Sequence, residues 1–241
     1  MQPSVVYKVD NEHPAERKRF VRGMFDSIVP TYDLLNHLLS FGTDVVWRHD
    51  LARATGVPEG GMVIDLCCGT GDVSRLLERR GIRTVSLDFS GEMLKKGIEK
   101  KALGGTSILG DACLQPLKSG AFDGATIAFG IRNIPDLDRF MREVHRVLKP
   151  GGKLTILELV RPESRTVGAV YSFYLRKLLP AIGGVLSGKP GAYRYLSGTI
   201  ATFVAPGVIQ EMLEKHGFTS VTRSRKTFGV AVIFSCRKGP G

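Results

Sequence analysis

Cysteine is scarce, with four in 241 residues, at positions 67, 68, 113 and 236. Adjacent Cys67 and Cys68 bridge poorly, and no Cys-x-x-Cys spacing occurs. A disulfide framework and a zinc site are therefore unsupported, and buried reduced thiols and no metal are expected. Long apolar runs are missing too. No stretch approaches 18 uncharged apolar residues, so no membrane span is expected. Residues 1–12 read as a loose leader without an apolar signal core, which points to the cytoplasm. Acidic residues are outnumbered, 23 against 34 Lys and Arg, giving a net charge of +11. Such a balance suits nucleic acid or an anionic membrane surface. The cations are scattered, however, as at Lys95-Lys96, Lys100-Lys101 and Arg223 to Lys226. No basic stripe interleaved with aromatics occurs, so specific nucleic-acid binding is not expected.

What is present is core-forming material, 43% hydrophobic, enough for one α/β domain with extensions. Its organising stretch is Met62-Val-Ile-Asp-Leu-Cys-Cys-Gly-Thr-Gly-Asp72. An apolar run ends in Asp65, Gly69 and Gly71 flank Thr70, and a helical pattern follows. Strand, glycine turn and helix in that order make the first βα unit of a doubly wound sheet. Glycine lets backbone approach a ligand where a Cβ would block it. The acids Asp65 and Asp72 argue against a pyrophosphate. They suit S-adenosylmethionine (SAM), a sulfonium with an ammonium tail. A second strand, Arg83 to Asp88, also ends in an acid, 17 residues after Gly71. Asp88 can accept the ribose hydroxyls of a nucleoside, which fits SAM and NAD equally.

Around this unit the periodicity predicts helices over 14–28, 32–39 and 44–54, with Thr31 available to cap the second. Strands are expected at 62–66, 84–88, 106–109, 122–129 and 153–160, alternating with helices at 72–80, 91–101 and 136–148. Lys149-Pro150-Gly151-Gly152 is expected to stop the last of these. The stretch 161–202 breaks the rhythm and holds an apolar, aromatic segment, Val167 to Leu186, edged by cations. An ordinary buried helix, a lid over an apolar substrate and a helix grazing a membrane all stay open. A helix at 206–216 and two closing strands, 220–224 and 230–236, suggest an antiparallel hairpin at the sheet edge.

Several motifs together resemble the ubiquinone/menaquinone biosynthesis C-methyltransferases, which are class I SAM-dependent enzymes. They are Phe25-Asp-Ser-Ile-Val-Pro-Thr-Tyr-Asp-Leu-Leu-Asn36 running on through Ser40 to Trp47-Arg48, Phe129-Gly-Ile-Arg-Asn133, Arg146-Val-Leu-Lys-Pro-Gly-Gly152 with Leu157-Glu158, and Ala192-Tyr-Arg-Tyr-Leu196. The resemblance covers residues 16–238. It implies a Rossmann-like fold with a mostly parallel seven-stranded sheet, an N-terminal helical extension (1–57), and a SAM-binding domain (58–241) carrying a lid insertion at 161–202. Two departures stand out. The family usually has His where Asp44 stands, which argues against a site role for that side chain. It often has Ser where Ala128 stands, which removes one cofactor hydrogen bond but not a backbone contribution.

Residue by residue, the resemblance implies a cofactor site of Thr70, Asp88 on the ribose, and Asp111 with Ala112 beside adenine. Asp65 and Gly69 to Gly71 would hold the methionine end, Tyr32 and Asp33 would cover the cofactor, and Ala128 would line it. The implied reaction moves the SAM methyl to a ring carbon of a polyprenylated quinol. Arg132 and Asn133 are the candidates for stabilising the phenolate; the proton acceptor is either a carboxylate, Asp33 or Asp26, or a water held by Arg132 and Asn133. Because the tail of such an acceptor lives in a bilayer, peripheral contact with an anionic membrane is expected; a homodimer stays open. An NAD-dependent oxidoreductase would normally show a third glycine at position 74, where Ser stands. A methyltransferase for another small apolar acceptor is the nearer alternative.

Overall fold

The structure, a computed structural model, describes residues 14–240. The leader expected at residues 1–12 lies outside the described residues. Seven strands form one sheet: β1 Met62–Leu66, β2 Arg83–Asp88, β3 Thr106–Leu109, β4 Phe122–Ala128, β5 Leu148–Leu159, β6 Phe218–Lys226 and β7 Ala231–Lys238. Their spatial order is β3-β2-β1-β4-β5-β7-β6. The first five are mutually parallel, and β7 runs antiparallel between β5 and β6. This is the α/β architecture expected, edge hairpin included.

Strand parity assigns the two faces. Ile64, Leu66, Leu154, Ile156, Val232 and Phe234 point to one core, which is closed by α6 (Leu137–Val147) and α10 (Pro206–Lys215). Val63, Leu157, Ala231 and Ile233 point to the other, closed by α3 (Thr43–Ala54) and α4 (Asp72–Glu78). Alternation at period two is what lets one strand serve both layers. A helix also follows β2, α5 Gly91–Glu99; Ser90 caps it by accepting from the Met93 N–H at 3.1 Å.

A third apolar cluster sits beyond the strand ends. α1 (Pro14–Ile28) and α2 (Tyr32–Leu39) contribute Ile28, Leu35 and Leu39. The insertion answers with Leu175, Leu179, Tyr193 and Ile200. It folds as α7 (Arg165–Phe173), a π-type turn at 174–178, α8 (Leu179–Ser187) and α9 (Pro190–Thr202). One face of the Val167 to Leu186 stretch is therefore core, while Val170, Phe173 and Val185 stay exposed.

Two local expectations differ. Thr31 makes no cap; its hydroxyl lies 3.4 Å from the Ile28 carbonyl instead. The Lys149 to Gly152 turn does not separate helix from strand. β5 already begins at Leu148, pairs with Phe122, and absorbs the turn as a bulge before Lys153 pairs with Gly124. Gly151 supplies the left-handed residue there, at φ 73°. Among the described residues no single helix is long and apolar enough to cross a membrane.

Candidate functional site

The C-terminal ends of the parallel strands carry the site, as parallel sheets dictate. Asp88 ends β2 and is buried. Its Oδ2 accepts from the Gly69 N–H at 2.8 Å and its Oδ1 from the Ser90 N–H at 2.9 Å. Burial pushes its pKa up to about 6, against the pull of those backbone donors. The carboxylate keeps acceptor capacity for a diol hydroxyl. Gly69, at φ 56°, would bring a Cβ against Tyr32 at 4.0 Å. Two non-glycine residues at the strand ends are also left-handed, Cys67 at φ 53° and Phe129 at φ 58°. They force the next contact. A Cβ on Gly130 would lie 2.6 Å from the Cβ of Cys67, so only glycine fits.

Asp88, Gly69, Asp111, Ala112, Ala128 and Tyr32 all line this cavity, with Cys67 and Met93 between them. Its roof is α1: Lys18 Nζ reaches Asp111 Oδ2 at 2.5 Å. The donor set fits SAM. Asp88 would take the ribose hydroxyls, and Cys67, Met93, Ala128 and the backbone of Gly69 would line the rest of the cofactor.

The structure places Thr70, Asp65, Gly71 and Asp33 elsewhere. Asp65 is buried beneath the cavity, where Ser74 and Thr126 hydroxyls donate to it at 2.7 and 2.9 Å. Its pKa, also about 6, reflects burial partly offset by those two donors. Gly71, at φ 85°, begins α4, and a Cβ there would meet Leu103 at 2.5 Å. Asp33 and Thr70 form a polar knot. The Thr70 hydroxyl donates to Asp33 Oδ1 at 2.6 Å, and Lys100 Nζ donates to Asp33 Oδ2 at 2.6 Å and to Asp72 Oδ1 at 2.7 Å. None of the four lines either cavity described here. Asp26, the other candidate acid, lines neither as well; it accepts from the Ser90 hydroxyl at 2.5 Å.

A second cavity, of about 760 Å³, opens between the N-terminal helices and the insertion. Its walls are overwhelmingly apolar. Among the described residues four border both cavities: Phe25, Tyr32, Phe129 and Asn133. Anything transferred from one to the other crosses there. On the large-cavity side stand Arg132 and Asn133, in the 3₁₀ turn after β4. Arg132 is ion-paired with Glu158, which is fully buried. Glu158 Oε1 also accepts from the Leu159 N–H at 2.8 Å. Burial raises the pKa of Glu158, and the guanidinium pulls it partly back. Arg132 Nε is buried without a hydrogen-bond partner among the described residues. Asn133 Oδ1 accepts from the Tyr195 hydroxyl at 3.2 Å. Burial raises the Tyr32 phenol, with Arg48 and Arg132 opposing, so it stays protonated at neutral pH.

The sequence reading passed over three groups. Lys18 lies 93 residues from Asp111 in the chain, and no local signal links them. Arg48, whose guanidinium sits 5.0 Å over the Phe129 ring, was visible only as part of a motif. Asp44, read against a site role, lies in the wall of the large cavity, ion-paired with Arg48. The four-residue spacing of Asp44 and Arg48 on α3 was the available signal.

Comparison with known proteins agrees with this geometry. A sequence profile of the ubiE/COQ5 methyltransferase family matches residues 12–238. The demethylmenaquinone methyltransferase of Thermotoga maritima is 43% identical over 220 residues, 90% of this chain and 95% of that protein. The Thermus thermophilus enzyme of the same name is 41% identical, covering 87% and 97%. The ubiquinone/menaquinone biosynthesis C-methyltransferase UbiE of Geobacter sulfurreducens is 38% identical, covering 93% and 90%. Among solved structures, a SAM-dependent methyltransferase of T. maritima superposes with a TM-score of 0.66 at 20% identity, covering 90% of this chain and 99% of that one. Phosphoethanolamine N-methyltransferase 2 of Haemonchus contortus, solved with SAM, gives 0.58 at 17% identity, covering 79% and 51%. These two show the shared class I methyltransferase fold.

Proposed function

The chain belongs to the ubiE/COQ5 methyltransferase family, and on that premise we propose that it methylates a ring carbon of demethylmenaquinol to give menaquinol. The observation that carries the reading is the pair of cavities sharing one wall. One has the donor set for SAM; the other is large and apolar with one polar corner. The 2-polyprenyl-6-methoxy-1,4-benzoquinol of ubiquinone synthesis is the second reading, favoured by relatives such as the Geobacter protein, whose name includes both quinones.

SAM, when bound, supplies an electrophilic methyl on a sulfonium. The chain's residues must supply the rest. A ring carbon is a weak nucleophile until its neighbouring hydroxyl carries negative charge. The Arg132 guanidinium and the Asn133 amide, both of which line the large cavity, are the candidates for stabilising that oxygen. Phe25, Tyr32 and Phe129 keep water from the crossing point and hold the ring in line, where positioning contributes most. Asp33, clamped by Lys100 and Thr70, braces the glycine turn against α2.

The rim of the large cavity carries Phe41, Phe173 and Phe228, which are 83, 60 and 85% exposed. An isoprenoid tail leaving the cavity passes over these rings, and together with the +11 charge they suit contact with an anionic bilayer. Binding to anionic vesicles should weaken with salt; equal binding to neutral vesicles would refute the electrostatic part. The reaction itself is tested with radiolabelled SAM and both quinols, side by side in detergent. Label in demethylmenaquinol supports the proposal. Label only in the benzoquinol moves the enzyme to the other branch, and label in neither, with SAM bound, refutes both.

A further inference from the structure

Methylation at a ring carbon leaves one step that the corner around Arg132 does not perform. The carbon that receives the methyl still bears its hydrogen, and the ring is not aromatic until that hydrogen leaves as a proton. Arg132 is a cation and Asn133 an amide, so neither accepts it. Among the described residues lining the large cavity there is one carboxylate, Asp44. The other acids near the site, Asp26, Asp33 and Glu158, lie off that wall. The five described tyrosines of the wall are no better: burial raises Tyr32, Tyr171, Tyr174 and Tyr193 above the ordinary phenol value, and the Tyr195 hydroxyl already donates its proton to Asn133 Oδ1.

The surroundings of Asp44 keep it ionised and oriented. It stands in the first turn of α3 and is 3% exposed. Arg48, one turn on, is its ion-pair partner and lies over Phe129, which borders both cavities. From α2 and the turn after it, His37 Nδ1 sits 2.8 Å from Asp44 Oδ2, and the Ser40 hydroxyl donates to Oδ1 at 2.7 Å. Behind Arg48 stands Asp72, 3.8 Å from its Nε and itself held by Lys100. Burial alone would raise the carboxyl, but Arg48, Ser40 and His37 overrule it and hold it below the ordinary carboxylate range. A carboxylate has about four acceptor positions, and three are taken here. One remains on Oδ1.

From this placement the geometry points to Asp44 as the proton acceptor of the reaction, a role that rests on the quinol reading above. The ring-carbon to methyl bond forms as the methyl–sulfur bond breaks and S-adenosylhomocysteine leaves. The C–H bond at that carbon then breaks. Its electron pair restores the aromatic ring, and the proton goes to Asp44 Oδ1. A weak base suffices, since regained aromaticity drives the transfer. His37 and Ser40 act as positioning residues that fix the carboxylate.

The test uses the whole enzyme and demethylmenaquinol carrying hydrogen or deuterium at the methylated carbon. In the wild type, proton loss follows methyl transfer, and turnover should be nearly insensitive to deuterium. Asp44→Asn should lower kcat by about 100-fold or more, the range of a lost general base. Its affinity for S-adenosylhomocysteine should hold, and a primary isotope effect that the wild type lacks should appear. Asp44→Glu, which keeps a carboxylate, should recover part of the turnover and reduce that isotope effect. Turnover of Asp44→Asn within about threefold of wild type, far short of that range, would overturn the inference. So would a large loss with the isotope effect unchanged, or with cofactor affinity lost in parallel, since either marks a structural role. No methylation of this quinol by the wild type would instead refute the substrate reading, and with it any role for Asp44 on this ring.

Discussion

Glu158→Gln is the substitution that most directly separates holding from catalysis in the polar corner. The Glu158 side chain is 0% and that of Arg132 7% exposed, so the pair is cut off from water. Removing the negative charge leaves a buried cation uncompensated, which typically costs about 3–5 kcal/mol. The Leu159 and Arg132 N–H groups donate to separate oxygens of Glu158, so a glutamine oxygen keeps one of them and its amide nitrogen faces the other. The loss should therefore sit near the upper end, about 5 kcal/mol. That is a large part of the 5–15 kcal/mol typical of a domain. Adding Arg132→Met removes the cation as well. The double variant should return to within about 1 kcal/mol of wild type, because replacing both partners of a buried pair is often neutral. Urea unfolding at pH 7.5, with equal slopes required, measures both. Activity should not follow stability. The double variant lacks the guanidinium and should lose about 10²–10³ in kcat, as removal of an oxyanion donor does. A Glu158→Gln variant within 1 kcal/mol of wild type, or a double variant no more stable than the single, would refute the reasoning.

Cofactor affinity should depend on pH through Asp88. A ribose diol donates to the carboxylate, so binding favours the ionised form; with burial holding the pKa near 6, affinity for S-adenosylhomocysteine should fall as pH drops below about 6 and level off above 7. Asp88→Asn should be weaker and flat, whereas an affinity constant from pH 5 to 8 in the wild type would remove Asp88 from the ribose. Asp33→Asn should weaken cofactor binding through the Lys100 and Thr70 knot while leaving kcat within about fivefold; a 10²-fold fall in kcat with affinity intact would make Asp33 an acid or base after all.

Much of the fold was legible because strand parity and glycine punctuation are written locally. Seven strands, their order of appearance and the edge hairpin follow from runs of apolar residues and their turns. The start of β5 was not, because a Pro-Gly-Gly turn reads as a stop unless the partner strand is known to bulge with it. The site was legible in part. Asp88, Asp111, Arg132 and Asn133 all sit at the strand ends or the turns after them, where position along the strand decides access to the cavities. Asp65 lies apart from both cavities for a reason the sequence did contain. Parity puts it on the face of Val63, away from Ile64 and Leu66, and there Ser74 and Thr126 satisfy it. Lys18 was not legible, since its partner Asp111 is set by how α1 folds over the sheet; for Asp44 the sequence offered only the four-residue spacing to Arg48, which does not show that it lines a cavity.

The strained residues tie these observations together. A non-glycine residue in the left-handed region costs about 1–2 kcal/mol, and this chain places two of them, Cys67 and Phe129, on the wall of the cofactor cavity. Glycine would ease the backbone at either position. At Phe129 it would also remove the ring that separates the two cavities, the surface on which Arg48 rests, and the contact with Trp47 at 6.3 Å. Gly130 then has to be glycine because Cys67 keeps its Cβ. Strain of this kind persists only where surrounding packing over-determines it. Here the packing is Trp47 and Arg48 of α3, the helix that also carries Asp44. The partition between cofactor and acceptor and the proposed proton acceptor are thus set by one helix, and a shift of α3 would disturb both together.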